Sequence, residues 1–211
     1  MTNLSMLEKL MKDFLSKYTF SNKEYFIRTT IPKFTHDIIL KKINQNKYGI
    51  CMDLNYVFYT ILKKHGFNCY LVKAYEKKPD GYYYNIYHLT VVVMINNCKY
   101  LADVGFGKYF TKPVLLEDNV KTNDIFIKII DTNHYDIYHY DIYHGERLIV
   151  RMYDQPVTNI KDIDNNYQNF FKSTAQDFPL CRKLYERLYD PKINKYILPK
   201  NKNISLTQQK Y

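Results

Sequence analysis

Lys47-Tyr48-Gly49-Ile50-Cys51-Met52-Asp53-Leu54-Asn55 is where this 211-residue chain passes from an extended segment carrying a glycine into a helical hydrophobic pattern. Leu54, Val57, Phe58, Ile61 and Leu62 recur at helical spacing, and Gly66 sits where a left-handed residue would stop the helix. Cys51 therefore falls in the first turn, where unpaired backbone N–H groups and the positive end of the helix dipole favour thiolate over thiol. A lone cysteine in such a place is ordinarily a small core hydrophobe. The residues downstream argue for chemistry instead.

Upstream, Leu4, Leu7, Met11, Phe14, Leu15 and Tyr18 form one apolar helical stripe. Ser5 with Glu8, and Ser21 with Glu24, have the spacing of capping boxes. Pro32 closes the second segment, and Thr35 opens another run through Ile38, Ile39, Leu40 and Ile43. Residues 1–66 thus read as an all-helical region carrying the nucleophile. After Gly66 the period changes to two, with Phe67, Cys69 and Leu71 on one side and Tyr70, Val72 and Ala74 on the other. Asp80-Gly81 marks a turn, His88 to Ile95 is rich in β-branched residues, and Asn96-Asn97 suits a two-residue hairpin. Lys99 to Val104 reads as the returning strand, and Ile125 to Ile130, Tyr135 to Tyr143 and Arg147 to Tyr153 as further strands of a rolled antiparallel sheet. Ile160 to Lys172 is ambiguous, and Cys181 to Leu206 suits either a helix or two short strands. Residues 67–158 and 159–211 form the second and third regions of this reading.

A composition that is 46% hydrophobic supports a real core. The longest apolar run, Leu89 to Ile95, is far short of a membrane span, and the N-terminus does not resemble a signal peptide. Cys51, Cys69, Cys98 and Cys181 show neither metal-ligand spacing nor a disulfide framework. These features suit a soluble chain in the reducing cytoplasm. The net charge is +10, and residues 182–211 hold eight Lys or Arg against Glu186 and Asp190. Charge spread this evenly is expected to be a solvated face rather than a nucleic-acid surface.

With Asn96-Asn97 as the hairpin loop, Ile95 faces Cys98, and His88 and Asp103 become diagonal neighbours on one face of the hairpin. A one-residue slip would separate them. Gly49, Gly105 and Gly107 flank the cysteine and the aspartate in a chain with only six glycines, which suits tight turns or room for a ligand. Cys51, His88 and Asp103 match the roles of thiol catalysis: nucleophile, base, and the carboxylate that orients the base. Backbone N–H groups at the start of the helix could hold the oxyanion.

These stretches resemble the arylamine N-acetyltransferase family, whose signatures are R-G-G-x-C-x-E-x-N, H-x-x-L-x-V and D-V-G-F-G. The counterparts are Lys47 to Asn55, His88-Leu89-Thr90-Val91 and Asp103-Val104-Gly105-Phe106-Gly107, the last a complete match. Weaker similarity continues through Pro113-Val114-Leu115 and Asn166 to Phe178. Lys47 and Tyr48 stand where the family has Arg and its first Gly, and Asp53 where it has Glu. The resemblance implies an α+β fold: an N-terminal helical bundle, an antiparallel β-barrel and a truncated C-terminal α/β lid, with papain-like placement of the triad. It implies ping-pong transfer, in which acetyl-CoA as co-substrate acetylates Cys51 and an arylamine, hydrazine or related small amine takes the acetyl group. Phe106 and Gly107, by position in the matching turn, would bind substrate, and no metal is implied.

Two other classes stay open at this point. A thiol amidase, peptidase or transglutaminase-like enzyme would use the same three residues, and an inactive relative could bind a polyanion through its basic C-terminal stretch. His134, His139 and His144 invite a metal reading, but a spacing of five alternates strand faces and puts His134 and His144 about 33 Å apart.

Overall fold

In the computed structural model, which describes residues 3–122, 125–141 and 145–199, α1 (Asn3–Lys17) buries Leu7, Met11, Phe14 and Leu15, the stripe read from the sequence. Helix α2 (Lys23–Ile27) and helix α3 (His36–Asn46) follow, with the strand β1 (Thr19–Ser21) before α2. The two capping boxes are not formed. Ser5 lies inside α1, and Asn22 is the N-cap of α2. Glu24 is drawn into an ion pair with Lys42 at 2.6 Å rather than back to the helix start. A two-residue strand β2 (Tyr48–Gly49) leads into α4 (Cys51–Lys64), which is buried on almost every side. A helix apolar all round belongs in an interior, and α4 is the central rod of the molecule.

Strands β3 (Asn68–Tyr75) and β4 (His88–Ile95) pair antiparallel, and β5 (Cys98–Leu101) returns from β4. Asn96 and Asn97 both take positive φ, 50° and 65°, as a tight hairpin turn requires. Ile95 faces Cys98 and Val92 faces Leu101, the register expected from the loop. The sheet continues through β6 (Val114–Leu115), β7 (Lys121–Thr122), β8 (Ile125–Asp131), β9 (His134–Asp141) and β10 (Gly145–Tyr153). Its eight strands run β6-β5-β4-β3-β10-β9-β8-β7. Bulges between Ile129 and Asp131 and between Leu148 and Val150 bend it. It curls until Val72, Val92, Leu101, Ile127, Ile137 and Met152 share one interior, a nearly closed antiparallel barrel.

The period-two pattern after Gly66 therefore serves two cores. Cys69, Leu71, Leu89, Val91, Val93 and Ile95 face the helices, while Val72, Ala74 and Val92 fill the barrel. The ambiguous stretch is helix α5 (Ile160–Lys172), which buries Ile163, Asn166, Tyr167, Phe170 and Phe171 against the helical core. Beyond a short 3-10 turn at Pro179–Cys181 come β11 (Glu186–Asp190) and β12 (Lys195–Ile197), an antiparallel hairpin. The choice between helix and strands after Cys181 thus falls to strands as far as Ile197, and the rest of that stretch, to Leu206, runs past residue 199 beyond the described residues. Strand β11 adds to β1 with Arg187 opposite Phe20, and β1 pairs parallel to β2. Early and late parts of the chain thus share one four-stranded sheet, β12-β11-β1-β2, whose far edge feeds into Cys51. The result is an α+β fold of helices packed on a barrel.

Candidate active site

Cys51 is the first residue of α4, and Ile50 before it is extended, with φ −86° and ψ 177°. Asp53, at the third helical position, accepts the Ile50 N–H at 3.0 Å and anchors this end of the helix. That carboxylate is fully buried, and burial pushes its pKa up against the partial offset from Lys42. Lys42 of α3 reaches Asp53 at 2.7 Å, Glu24 at 2.6 Å and the Tyr167 hydroxyl at 2.8 Å. The cation beside the nucleophile helix thus comes from Lys42. Lys47, at the family's arginine position, is the left-handed end of α3, φ 62°, with its ammonium over the Tyr18 ring.

His88 begins β4, and its Nε2 bonds Asp103 Oδ2. Both are buried. The returning strand expected to run to Val104 ends at Leu101; the Ala102 N–H still reaches the Val91 carbonyl at 2.9 Å, and side chains take over the backbone donors from Val104 on. Asn55 Oδ1 accepts the Val104 N–H at 2.9 Å, and Asp103 Oδ1 accepts those of Gly105 and Phe106 at 2.8 and 2.9 Å. Asn55 Nδ2 also donates to Asp103 Oδ1 at 3.2 Å and to the Leu89 carbonyl at 2.8 Å. One turn past Cys51 on α4, Asn55 thus ties the helix to both barrel segments. The turn's N–H groups are thus committed to the side chains of Asn55 and Asp103.

Burial alone would lower the His88 pKa, but the Asp103 carboxylate and, after it, the nearby Cys51 hold it well above the ordinary histidine value. Burial likewise works to raise Asp103, and the His88 charge with the bonds from Asn55 and Gly105 reverses it, leaving Asp103 below the usual carboxylate range. His88 thus bonds Asp103 and shares a cavity lining with Cys51.

Gly105 is needed for close approach. A Cβ there would lie 2.8 Å from Cys51 Cα and 2.9 Å from its carbonyl oxygen. Gly107 has φ +71° and sits against the Phe20 ring, where a Cβ would meet ring atoms at 2.7 Å. Phe106 packs edge-on to His88, ring centroids 5.1 Å apart. A cavity of about 160 Å³ opens on Cys51 and His88, walled by Phe20, Phe106, Phe170 and Phe178 and bordered by Arg187. Ile86 and Phe178 also border an open cleft of about 660 Å³ outside it.

Several supporting residues carried no role in the sequence reading. Asn166 of α5 accepts the Tyr87 N–H at 3.1 Å and donates to the Tyr87 carbonyl at 2.9 Å, fixing the backbone just before His88. Asn55 and Asn166 are polar residues set in apolar helical stripes, and that contrast was the available signal. Lys42 and Arg187 had none, since each depends on long-range packing. Among the described residues no group of three His, Cys, Asp or Glu side chains converges. His144 and the side chain of His139 lie outside the described residues.

A buried cysteine sharing a cavity with a histidine–carboxylate pair, where a helical bundle meets a β-barrel, points to a class. The sequence profile described as N-acetyltransferase matches residues 3–209. The chain belongs to the arylamine N-acetyltransferase family. It is 58% identical to an uncharacterized acetyltransferase of Acanthamoeba polyphaga mimivirus over 201 residues, 94% of this chain and 98% of that one. Its fold is that of the Mycobacterium smegmatis arylamine N-acetyltransferase, with a TM-score of 0.77 at 14% identity, covering 90% of this chain and 72% of that one. It also matches an arylamine N-acetyltransferase of Bacillus cereus, described as having a Cys-His-Glu triad, with a TM-score of 0.74 at 20% identity over 89% and 76% of the two chains. The protein is an acetyltransferase of this family.

Proposed function

We propose that this protein moves an acetyl group from acetyl-CoA, through a thioester on Cys51, to the nitrogen of an arylamine, hydrazine or similar amine. The observation that carries this reading is the His88 imidazole bonded to Asp103 and lining, together with Cys51, one aromatic-walled cavity. His88 takes the thiol proton and Asp103 stabilises the imidazolium. The sulfur attacks the acetyl carbonyl carbon, and the N–H groups opening α4 stabilise the oxyanion. Collapse of that intermediate breaks the bond to the coenzyme sulfur, which leaves with the proton from His88. The amine then attacks the thioester, its proton passes to His88, and the Cys51 sulfur departs as the amide forms.

The bulk of the coenzyme would lie in the outer cleft of about 660 Å³, with its acetyl end passing Ile86 and Phe178 to the sulfur. Phe106 and Gly107 would contact the acceptor. Three regions, residues 1–66, 67–158 and 159–211, would then supply the nucleophile, the base with its orienting carboxylate, and the outer wall. The third position is Asp103 here, where the Bacillus cereus protein is described with Glu.

Intact-protein mass spectrometry after mixing with acetyl-CoA tests this. Wild type should gain one acetyl group and Cys51→Ala none, and an amine should discharge the adduct as its amide. Discharge by water at the same rate with and without amine would favour the thiol hydrolase reading instead. No adduct on wild type would sink the thioester.

A further inference from the structure

Lys108 is the one lysine in the lining of the Cys51 cavity, and the turn after β5 puts it there. Gly105 lies against the Cys51 backbone, and Phe106 packs edge-on to His88 with ring centroids 5.1 Å apart. Gly107, at φ +71°, turns the chain against the Phe20 ring and delivers Lys108 to the cavity rim.

Its amine is uncommitted. Lys42 is held by Glu24 and Asp53, Lys99 by Asp154 and Lys9 by Asp13. Lys108 is exposed, and among the described residues no carboxylate pairs with it. Its ammonium lies 4.5 Å from the Tyr109 ring centroid, a weak hold at an exposed site. Such an amine can swing on its flexible four-carbon stem. Phe20, Phe106, Phe170 and Phe178 offer that stem apolar walls, along which a lysine buries its methylenes while carrying the nitrogen beyond them. Arg187, the arginine of the same lining, keeps its proton and is no nucleophile.

We infer that Lys108 is a self-modification site: without an external amine, its side-chain nitrogen takes the acetyl group from the Cys51 thioester of the same molecule. This rests on the transferase reading above. The ammonium first gives a proton to water. The neutral nitrogen attacks the thioester carbonyl carbon, the C–N bond forms as the C–S bond breaks, and the proton shed by nitrogen passes through His88 to the departing Cys51 sulfur. The products are an acetylated lysine and a free thiol. Acceptor and thioester belong to one chain, so the step needs no encounter between molecules. An amide is more stable than a thioester, so the transfer runs one way and strips the cavity rim of a positive charge.

The test incubates the protein with acetyl-CoA in the absence of amine, then applies hydroxylamine, which cleaves thioesters and spares amides, before peptide mass spectrometry. Wild type should first carry an acetyl group that hydroxylamine removes, and on longer incubation accumulate a stable one on Lys108. Cys51→Ala should accumulate none there. Lys108→Arg should keep the labile acetyl group and gain no stable one in that turn. Diluting the protein at fixed acetyl-CoA should leave the first-order rate unchanged. A stable acetyl group that forms equally in Cys51→Ala is direct modification by acetyl-CoA, and one whose rate falls on dilution is transfer between molecules. Either result overturns the inference, as does a labile acetyl group that never reaches Lys108. In those outcomes the thioester still stands or is not in question, whereas its absence from wild type overturns the transferase reading itself.

Discussion

His88 and Asp103 each shift the other's protonation, and the shifts have opposite signs. His88 is raised, so its contribution to stability is full below the unfolded histidine value and is lost as pH rises through the raised one. Asp103 is lowered, so its contribution is full above the unfolded carboxylate value and is lost as pH falls through the lowered one. The pair therefore stabilises the fold most between about pH 4 and 6.5. In Asp103→Asn, burial should dominate and the His88 pKa should fall, which NMR titration of the imidazole would report. The stability gap between wild type and Asp103→Asn in urea should be widest inside that window and narrow on both sides. Acetyl transfer in the variant should fall on the order of 10³–10⁴-fold, as when a histidine base loses its orienting carboxylate. A gap independent of pH would mean the two groups do not titrate as a pair.

At the scale of elements, the site is a joint between the N-terminus of α4 and the turn after β5, with Gly105 against the Cys51 backbone. Gly105→Ala would place a methyl group 2.8 Å from Cys51 Cα, a backbone atom that cannot rotate away. The turn must therefore withdraw, carrying Asp103 with it. We expect a cost of about 1–3 kcal/mol in stability and about 100-fold in acetyl transfer, since a misplacement near 1 Å has that effect. Equilibrium unfolding and single-turnover acetylation would measure the two, and unchanged rates would mean that the contact is slack. This joint was partly legible beforehand. The Asn96-Asn97 turn sets its register locally, so the approach of His88 to Asp103 could be read from residue numbers. The early end of β5 could not, because it depends on Asn55 reaching from a helix that is distant in sequence. Helix α5 was obscured for a similar reason, its buried Asn166 and Tyr167 diluting the apolar stripe that defines it. The second capping box failed at Glu24, where a buried lysine outcompeted a local cap.

At the scale of the whole molecule, the sheet that joins β1 to β11 closes the site from outside. Tyr185 and Arg187 border the cavity, and the Tyr196 hydroxyl of β12 donates to the Phe110 carbonyl at 3.2 Å, pinning the hairpin to the segment after Gly107. Truncation after Lys183 should lower the urea midpoint and open Cys51 to bulky thiol reagents that the intact cavity turns away. Equal labelling rates in the full and truncated chains would show that the hairpin does not guard the sulfur. The helices and barrel follow from contacts that are mostly near in sequence. This closing sheet does not, and no pattern within residues 182–197 names β1 as its partner.

The β1–β11 seam also imposes an order in time on biosynthesis. Cys51 leaves the ribosome well over a hundred residues before Arg187, a delay on the order of 10 s at about 5–20 residues per second. During that interval the nascent chain carries Cys51 without the outer wall. The cavity border that Tyr185 and Arg187 supply thus comes only with β11, so a prematurely stopped chain would hold the Cys51 thiol without that wall.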